Sequence, residues 1–303
     1  MEVILKDLDT EKRNINSENI DLMNTHDILK TINDDDKKVA YAVESVIPDI
    51  EKLVDAAYKK MANGGRLIYI GAGTSGRLGV LDASECPPTY GVDPDLVQGI
   101  IAGGFSALLK AKEGAEDSLT LAKDDLRKIN LSENDTVIGL AASGRTPYVI
   151  GGLDYANEVG ALTGAISCVK ESIISSHAKY SIEAIVGPEV ITGSTRMKSG
   201  TAQKMILNMI STSLMIKKGK VYHNLMVDVK PTNEKLISRA KNIIISCTDC
   251  SLEEAEKYLN LSGKNVKAAI LMILTGKDKD TCIDMLSNKN ENISSAIRSL
   301  YEK

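Results

Sequence analysis

Five short apolar runs alternate along the chain with segments whose apolar residues recur every three or four positions. Strands that alternate with helices are typical of a parallel sheet with right-handed crossovers. The ligand site of such a sheet lies beyond the carboxyl ends of its strands. The pattern therefore predicts an α/β fold with a parallel sheet flanked by helices. The predicted strands span 66–70, 97–102, 136–142, 161–167 and 181–186, and helical patterns between them span 107–129 and 148–159.

Helical patterns extend on both sides of this region. Residues 17–61 have helical spacing throughout and predict an N-terminal helical arm. After Pro231 every pattern is helical, and one of the segments opens with a capping box formed by Ser251 and Glu254. We therefore predict an N-terminal helical arm, a ligand-binding sheet domain and a small C-terminal all-helical domain. The predicted boundaries are 1–50, 51–230 and 231–303.

Charge and hydropathy restrict the partners that the chain can have. The 37 Lys and Arg residues against 41 Asp and Glu residues give a net charge of −4, and no basic block stands apart. This argues against a nucleic acid partner, because affinity for a phosphate backbone comes from accumulated positive charge. The apolar run at 3–5 is too short for a signal peptide, and the run at 205–216 is too polar and short for a bilayer span. We expect a cytoplasmic protein without a membrane partner.

Cysteine and histidine residues are scattered, which argues against a metal centre. We expect reduced thiols at Cys86, Cys168, Cys247, Cys250 and Cys282. Cys247 and Cys250 form a C-x-x-C in a helical stretch, and we interpret the pair as small packed residues rather than metal ligands or a redox motif. His26, His177 and His223 adjoin no acidic cluster, so we predict neither a metal site nor a Ser-His-Asp relay.

Three segments rich in glycine and hydroxyl residues lie at 71–79, 143–147 and 192–201. The first matches G-x-G-x-x-G, whose glycines expose amide N–H groups to a phosphate at a helix start. Thr74 and Ser75 add hydroxyl donors, which favours a phosphate monoester over a pyrophosphate. Parallel strands bring such turns to one edge, so we predict a cradle of neutral donors for a sugar phosphate. Its predicted members are Gly73, Thr74, Ser75, Ser143, Gly144 and Thr146.

Two glutamates stand in unusual surroundings. Glu85 lies just before two prolines, at 87 and 88, which stiffen the chain. Glu116 lies two positions after a glycine, in the acidic segment 112–117. By residue type alone, each is more often a solvated surface acid than a catalyst. Their rivals by residue type are Asp82, Glu113 and Asp117.

Taken together, these motifs resemble the N-acetylmuramic acid 6-phosphate etherases, a family built on a sugar isomerase (SIS) domain and related to glucokinase regulatory protein. The resemblance extends over nearly the whole chain, and its most specific part is the continuous run 71–88. It rests on Thr10, Glu11, Arg13, Asn14 and the segments 71–88, 101–104, 113–117, 142–147 and 193–205. The resemblance implies the SIS fold for the predicted sheet domain.

The resemblance also implies a reaction. It implies cleavage of the ether that joins D-lactate to carbon 3 of N-acetylmuramic acid 6-phosphate, by elimination followed by hydration, during cell-wall recycling. On this reading Glu85 assists the departure of lactate and then deprotonates the incoming water, and Glu116 removes the proton from carbon 2. The resemblance implies a small phosphosugar as substrate, no metal or other cofactor, and a homodimer with its sites near the subunit interface.

Three alternatives remain open on the residues alone. An aldose–ketose isomerase would share the base at carbon 2 but break no ether. A sugar-phosphate sensor would need only the hydroxyl turns, and the presence of both Glu85 and Glu116 favours catalysis instead. A nicotinamide-dependent enzyme would need an acidic residue about 20 positions beyond the glycines. Asp93 and Asp95 lie near that distance, but they precede the next predicted strand.

Overall fold

The N-terminal part of the chain is helical in the computed structural model, which describes residues 9–110, 112–229 and 231–301. The apolar run at 3–5 lies outside the described residues. Short 3₁₀ turns at Asp9–Glu11, Ile15–Ser17 and Ile20–Leu22 precede three α-helices, α1 (Thr25–Asp36), α2 (Lys38–Glu44) and α3 (Ile47–Ala62). The helical character predicted for this region is confirmed.

All five predicted strands form, and they make one parallel sheet. They are β1 (Leu67–Gly71), β2 (Val97–Ile101), β3 (Thr136–Leu140), β4 (Leu162–Ser167) and β5 (Tyr180–Glu183), in the order β2-β1-β3-β4-β5. Strands β1, β3 and β4 are buried along their whole length, as expected where helices cover both faces. Gly71 is level with Ile101 and with Leu140, so three neighbouring strands end together.

The connections between the strands are helical, with one departure from the prediction. The helices are α4 (Gly73–Tyr90), α5 (Ser106–Leu109), α6 (Leu121–Lys128), α7 (Pro147–Val159), α8 (Ile173–Ser176) and α9 (Lys198–Lys217). The prediction of one helical segment over 107–129 is wrong, because residues 112–120 are not helical. Gly114 has a φ of +75°, which interrupts a right-handed helix, and the segment is mostly polar and exposed.

Contacts divide the chain into two compact units. The first unit joins the residues up to Glu85 with Pro94–Ser211 and contains the sheet. Its core includes Ile68, Val137 and Leu153, all with no measurable exposure. The second unit joins Cys86–Asp93 with the residues from Thr212 onward. The three-part division at 50 and 230 stays a prediction.

The second unit is almost entirely helical. A small antiparallel hairpin, β6 (Val221–Tyr222) and β7 (Leu225–Met226), precedes α10 (Glu234–Thr248), α11 (Leu252–Leu261), α12 (Val266–Thr275), α13 (Lys279–Ser287) and α14 (Ile293–Arg298). The predicted capping box of Ser251 and Glu254 is present at the start of α11. Helix α12 lies at the centre of an aliphatic core, with Ile270 and Leu271 fully buried. In the part of the chain that the structure describes, no α-helix combines the length and the apolar character that a membrane span requires.

A buried polar network ties the N-terminal arm to the segment that leads into α9. Lys198 Nζ lies 2.7 Å from Asp35 Oδ2 and donates to the Pro188 carbonyl at 2.7 Å, and Asn14 Nδ2 donates to Asp35 Oδ2 at 3.1 Å. The Lys198 and Asp35 side chains are only 2% and 4% exposed. Burial acts to raise the pKa of Asp35, but hydrogen bonds from Lys198 and Lys38 outweigh it and hold that pKa below its usual range.

We expect Asp35→Asn to lower the free energy of unfolding by about 3 kcal/mol at neutral pH, because it leaves the Lys198 ammonium buried without its counter-charge. Because the pKa of Asp35 is lower in the folded protein than in the unfolded chain, its charge stabilises the fold at every pH above the unfolded-state pKa of about 4. This contribution is lost as the pH falls through the pKa of the folded state. The difference between parent and variant should therefore shrink below about pH 4 in urea titrations. Asp34→Asn is the control, since Asp34 pairs with exposed lysines. Equal losses in the two variants would contradict the role given to burial.

Candidate functional site

The first hydroxyl turn lies where β1 runs into α4. Gly73 has a φ of +52°, and Thr74 and Ser75 follow it in the first helical turn. A Cβ built on Gly76 would lie 2.6 Å from the Gly71 carbonyl oxygen, so only glycine lets the helix begin this close to the strand end. The local sequence therefore places two hydroxyl side chains at the carboxyl edge of the sheet.

The second hydroxyl turn follows β3, the neighbour of β1. Gly144 has a φ of +69°, and a Cβ built on it would lie 2.3 Å from the Cβ of Ser172. Thr146 is the N-cap residue of α7, but its hydroxyl makes no capping hydrogen bond. Ser143 and Thr146 therefore lie at the same sheet edge as the first turn, since β1 and β3 end level with each other.

The third segment, 192–201, also reaches the first turn. A Cβ built on Gly200 would lie 3.6 Å from Thr74 Cγ2, and Ser75 Oγ donates a hydrogen bond of 2.8 Å to Gln203 Oε1. The N-terminal amides of α9 are already occupied, because the buried Glu189 carboxylate accepts from the N–H groups of Lys198 and Ser199 at 2.9 Å each. The anion at this helix start is therefore supplied by the chain itself.

The four predicted hydroxyl donors differ in what they bind. Among the described residues, no hydrogen bond partner is found for the hydroxyls of Thr74, Ser143 or Thr146. Ser75 differs, because its hydroxyl donates to Gln203. Three donors at this edge are thus available to a ligand, and the fourth is committed within the protein.

A backbone hydrogen bond links the loop that carries Glu116 to α7, which begins at this edge of the sheet. The N–H of Tyr148, in the first turn of α7, donates to the Glu116 carbonyl at 2.9 Å, which fixes the exposed loop that carries Glu116. Glu116 and Gly73 line the same cavity of about 150 Å³. The other lining residues are Ala72, Arg77, Ala102, Ala107, Lys112 and Glu113. The structure therefore brings the predicted base together with Gly73 of the predicted cradle. The other predicted cradle residues do not line this cavity: Thr74, Ser75, Ser143, Gly144 and Thr146.

Sequence reasoning missed two cations of this cavity. Arg77 lies within the glycine-rich motif, and its guanidinium donates to the carbonyls of Leu108 and Ala107 at 2.9 and 2.8 Å. Lys112 donates to the Gly103 carbonyl at 3.3 Å. Neither has a sequence signal that marks it as a site residue, because Arg and Lys are common on exposed helices and loops. Among the residues that the structure describes, the cavity lining thus contains two cations, Arg77 and Lys112, and two carboxylates, Glu113 and Glu116.

Glu85 lies elsewhere in the same unit. It is exposed on α4, ten residues after Ser75, which is about 15 Å along a helix axis. Its side chain lines a second cavity, of about 240 Å³, with Leu78, Leu81, Asp82, Lys204, Leu207 and Asn208. Within one chain, therefore, the structure places the two predicted catalytic glutamates on different cavities.

The surroundings of Asp82 and Glu113 show which of these alternative acids can still be the catalytic base. Asp82 accepts hydrogen bonds from Tyr69, Asn208 and Ser211 at 2.7 to 3.1 Å, and burial raises its pKa more than these bonds lower it. This carboxyl is part of the packing between α4 and α9. Glu113 remains a rival, because it lines the same cavity as Glu116.

The cysteines and histidines are dispersed through the fold. None of the five cysteines forms a disulfide bond, and burial raises the pKa of Cys247 to about 11. His177 pairs with Asp154 through Nδ1 at 2.6 Å, and His223 contacts the ring of Tyr222. Within the described ranges, no three His, Cys, Asp or Glu side chains are grouped so that they could hold a metal ion.

Comparisons with known proteins agree on a family and a fold. Residues 49–157 match the glucokinase regulatory protein N-terminal SIS domain, and residues 120–213 match the SIS domain. The chain is 76% identical to an N-acetylmuramic acid 6-phosphate etherase of Clostridium botulinum (strain Eklund 17B / Type B), over 98% of this chain and 99% of that protein. It is 58% identical to an N-acetylmuramic acid 6-phosphate etherase of Clostridium beijerinckii, over 99% of this chain and 98% of that protein.

A solved phosphoheptose isomerase from Francisella tularensis has the same fold. It is 14% identical and superimposes with a TM-score of 0.51, over 64% of this chain and all of that chain. The predicted α/β fold with a parallel SIS-type sheet is therefore confirmed.

We expect Gly144→Ala to lower the free energy of unfolding by more than about 1 kcal/mol, because it adds strain at a positive φ and a contact with Ser172. Gly187→Ala is the matched control, since Gly187 has a φ of +71° and a Cβ built on it would have no other atom within 4 Å. Urea unfolding followed by circular dichroism measures both variants. Equal losses would show that the crowding at Ser172 contributes nothing.

Proposed function

The chain belongs to the N-acetylmuramic acid 6-phosphate etherase family, and on that premise we propose that it cleaves the D-lactyl ether of N-acetylmuramic acid 6-phosphate. The products are N-acetylglucosamine 6-phosphate and D-lactate, in the recycling of peptidoglycan amino sugars. The observation that carries this proposal is the cavity in which a carboxylate, Glu116, shares its lining with the glycine turn that begins α4. We further propose that the protein acts in the cytoplasm as a homodimer.

We assign the 6-phosphate to the hydroxyl turns at the sheet edge. Thr74, Ser75, Ser143 and Thr146 supply side-chain donors, and the backbone at Gly73 and Gly144 approaches closely because neither carries a Cβ. Hydrogen bonds from neutral donors to a dianion are charge-assisted and contribute about 1.5 to 3 kcal/mol each. The free hydroxyls of Thr74, Ser143 and Thr146 support this assignment.

Glu116 is the proposed base. In the open-chain sugar the carbonyl at carbon 1 acidifies the proton on carbon 2, and Glu116 removes that proton. The electron pair forms a double bond between carbons 2 and 3 as the bond from carbon 3 to the lactyl oxygen breaks. Water then adds at carbon 3, and carbon 2 regains a proton. This role of Glu116 is supported by its position in the lining of the cavity that Gly73 also lines.

Glu85 is the proposed acid, which protonates the departing lactyl oxygen and then takes a proton from the incoming water. The distance from Ser75 to Glu85 along the axis of α4 is about 15 Å. This is longer than the distance between the phosphate and carbon 3 of one sugar molecule. We therefore propose that Glu85 acts in the site of the partner subunit. Each site of the homodimer would combine Glu116 and the cradle of one copy with Glu85 of the other.

We expect Glu116→Gln to lower kcat by at least about a hundredfold, because no base remains for the proton on carbon 2. Mass spectrometry in heavy water follows exchange at carbon 2, and an enzymatic assay follows D-lactate. Glu113→Gln is the matched control from the same cavity and should retain most activity. Retained exchange in Glu116→Gln, or its loss in Glu113→Gln instead, would reject the assignment. Ketose formation without lactate from the parent protein would reject the etherase reaction itself.

A mixed dimer tests whether Glu85 acts across the subunit interface. Glu85→Gln and Glu116→Gln chains are co-expressed with different tags, and the dimer that carries both tags is purified. The mixed dimer would have one complete site and one site that lacks both glutamates, so we expect about half of the parental kcat. Activity no higher than that of the single variants would place both glutamates in one chain's site, and a monomer in solution would also reject the arrangement.

A further inference from the structure

Ser75 and Gln203 form a buried pair with one amide atom left over. The Ser75 hydroxyl donates its proton to Gln203 Oε1 at 2.8 Å. Gln203 is only 1% exposed, and its Nε2 has no hydrogen bond partner. A buried N–H donor without an acceptor is rare in folded proteins, because it loses its hydrogen bonds to water and gains none in return. The orphaned amide nitrogen is therefore a feature that needs a physical reason.

The pair also limits what Ser75 can do. A hydroxyl has one proton, and here it is directed at Gln203 rather than at a ligand. A phosphate dianion only accepts hydrogen bonds, so Ser75 can bind it only after that proton is released. The other three hydroxyls of the cradle carry no such restriction, since they have no partner among the described residues.

We propose that Gln203 is a positioning residue that sets the direction of the Ser75 hydroxyl when the phosphate binds. A half-turn about the last side-chain bond of Gln203 exchanges the two amide atoms and presents Nε2 to Ser75 Oγ. Gln203 then donates to Ser75, and Ser75 donates to the phosphate. This inference rests on the proposed function, because it takes the phosphate to lie at Ser75.

The count of hydrogen bonds favours this exchange. Without ligand, the pair makes one bond and leaves both N–H groups of Gln203 Nε2 unpaired. With the phosphate, the pair makes two bonds, of which the one to the dianion is charge-assisted, and one N–H group and the carbonyl oxygen of Gln203 are then unpaired. Buried carbonyl oxygens are left unpaired more often than buried N–H groups. The orphaned Nε2 is thus a donor held ready for Ser75.

Helix α9 gives Gln203 a fixed position. Gln203 lies in the second turn of α9, and the start of this helix is fixed by Glu189 and by the ion pair between Lys198 and Asp35. The backbone of Gln203 therefore stays in place, and only the amide needs to turn. After the exchange, the Ser75 hydroxyl can only donate to the ligand. This favours a phosphate dianion, which only accepts hydrogen bonds, over the hydroxyl of an unphosphorylated sugar, which also donates them.

A double-mutant cycle tests the proposal. We expect Gln203→Met, of similar volume, to raise KM about fivefold with kcat changed by less than about twofold, because the Ser75 hydroxyl loses its orientation. In a Ser75→Ala background Gln203→Met should change KM no further, since the amide then has nothing to orient. Gln98→Met, on β2, is the control glutamine and should leave KM unchanged.

Calorimetric titration with N-acetylglucosamine 6-phosphate measures the same cycle without turnover, and thermal unfolding is recorded for every variant. Additive effects of Ser75→Ala and Gln203→Met would overturn the proposal, as would tighter binding by Gln203→Met, which would mean that Gln203 only withholds the proton. If Gln203→Met lowered the thermal stability without changing the affinity for the phosphosugar, Gln203 would be a packing residue only and the proposal would be wrong. If the parent binds the phosphosugar but releases no lactate from N-acetylmuramic acid 6-phosphate, the proposed reaction fails while the cycle still decides the role of Gln203.

Discussion

The close approach of α4 to the sheet is the constraint on which the candidate site depends. A Cβ built on Gly99 would lie 2.5 Å from the Cα of Val80, and one on Gly79 would lie 2.9 Å from the Cβ of Tyr69. Side chains at these positions would push the helix away from β1 and β2. Because glycine removes that obstacle, the first turn of α4 lies directly on the end of β1, and its hydroxyls reach the same edge as those that follow β3.

A second constraint acts from the other side of the site through buried charges. Glu189 occupies the amides at the start of α9, and Lys198 is held by Asp35 of the N-terminal arm. Charges this deeply buried tolerate little displacement, since each would lose a partner that water cannot replace. The arm therefore helps to fix the helix that carries Gln203, although none of the arm residues that the structure describes lines the cavity that contains Glu116.

The order of strands and helices and the hydroxyl turns could be predicted because each rests on local pattern, such as the apolar run that precedes Gly71. The break at 112–120 escaped prediction, since helical spacing on both sides of Gly114 concealed it. Arg77, Lys112 and Gln203 escaped because their roles depend on neighbours distant in sequence. The assignment of Glu85 and Glu116 as a catalytic pair stays a prediction. Glu85 is close to the glycine-rich motif in sequence, but the length of α4 separates it from the cavity that Glu116 lines, and the sequence alone does not show this separation.

The makeup of the cradle has a consequence for how the protein would respond to ionic strength. Binding sites built from Lys and Arg lose affinity as salt screens their charges. Here the proposed donors are hydroxyls and backbone amides. The described lining of the cavity that contains Glu116 and Gly73 carries two cations and two carboxylates, so it has no excess of positive charge. Affinity for the phosphate would then come from short-range dipoles, which counter-ions screen poorly. The affinity of such a site for a phosphosugar would depend little on the salt concentration.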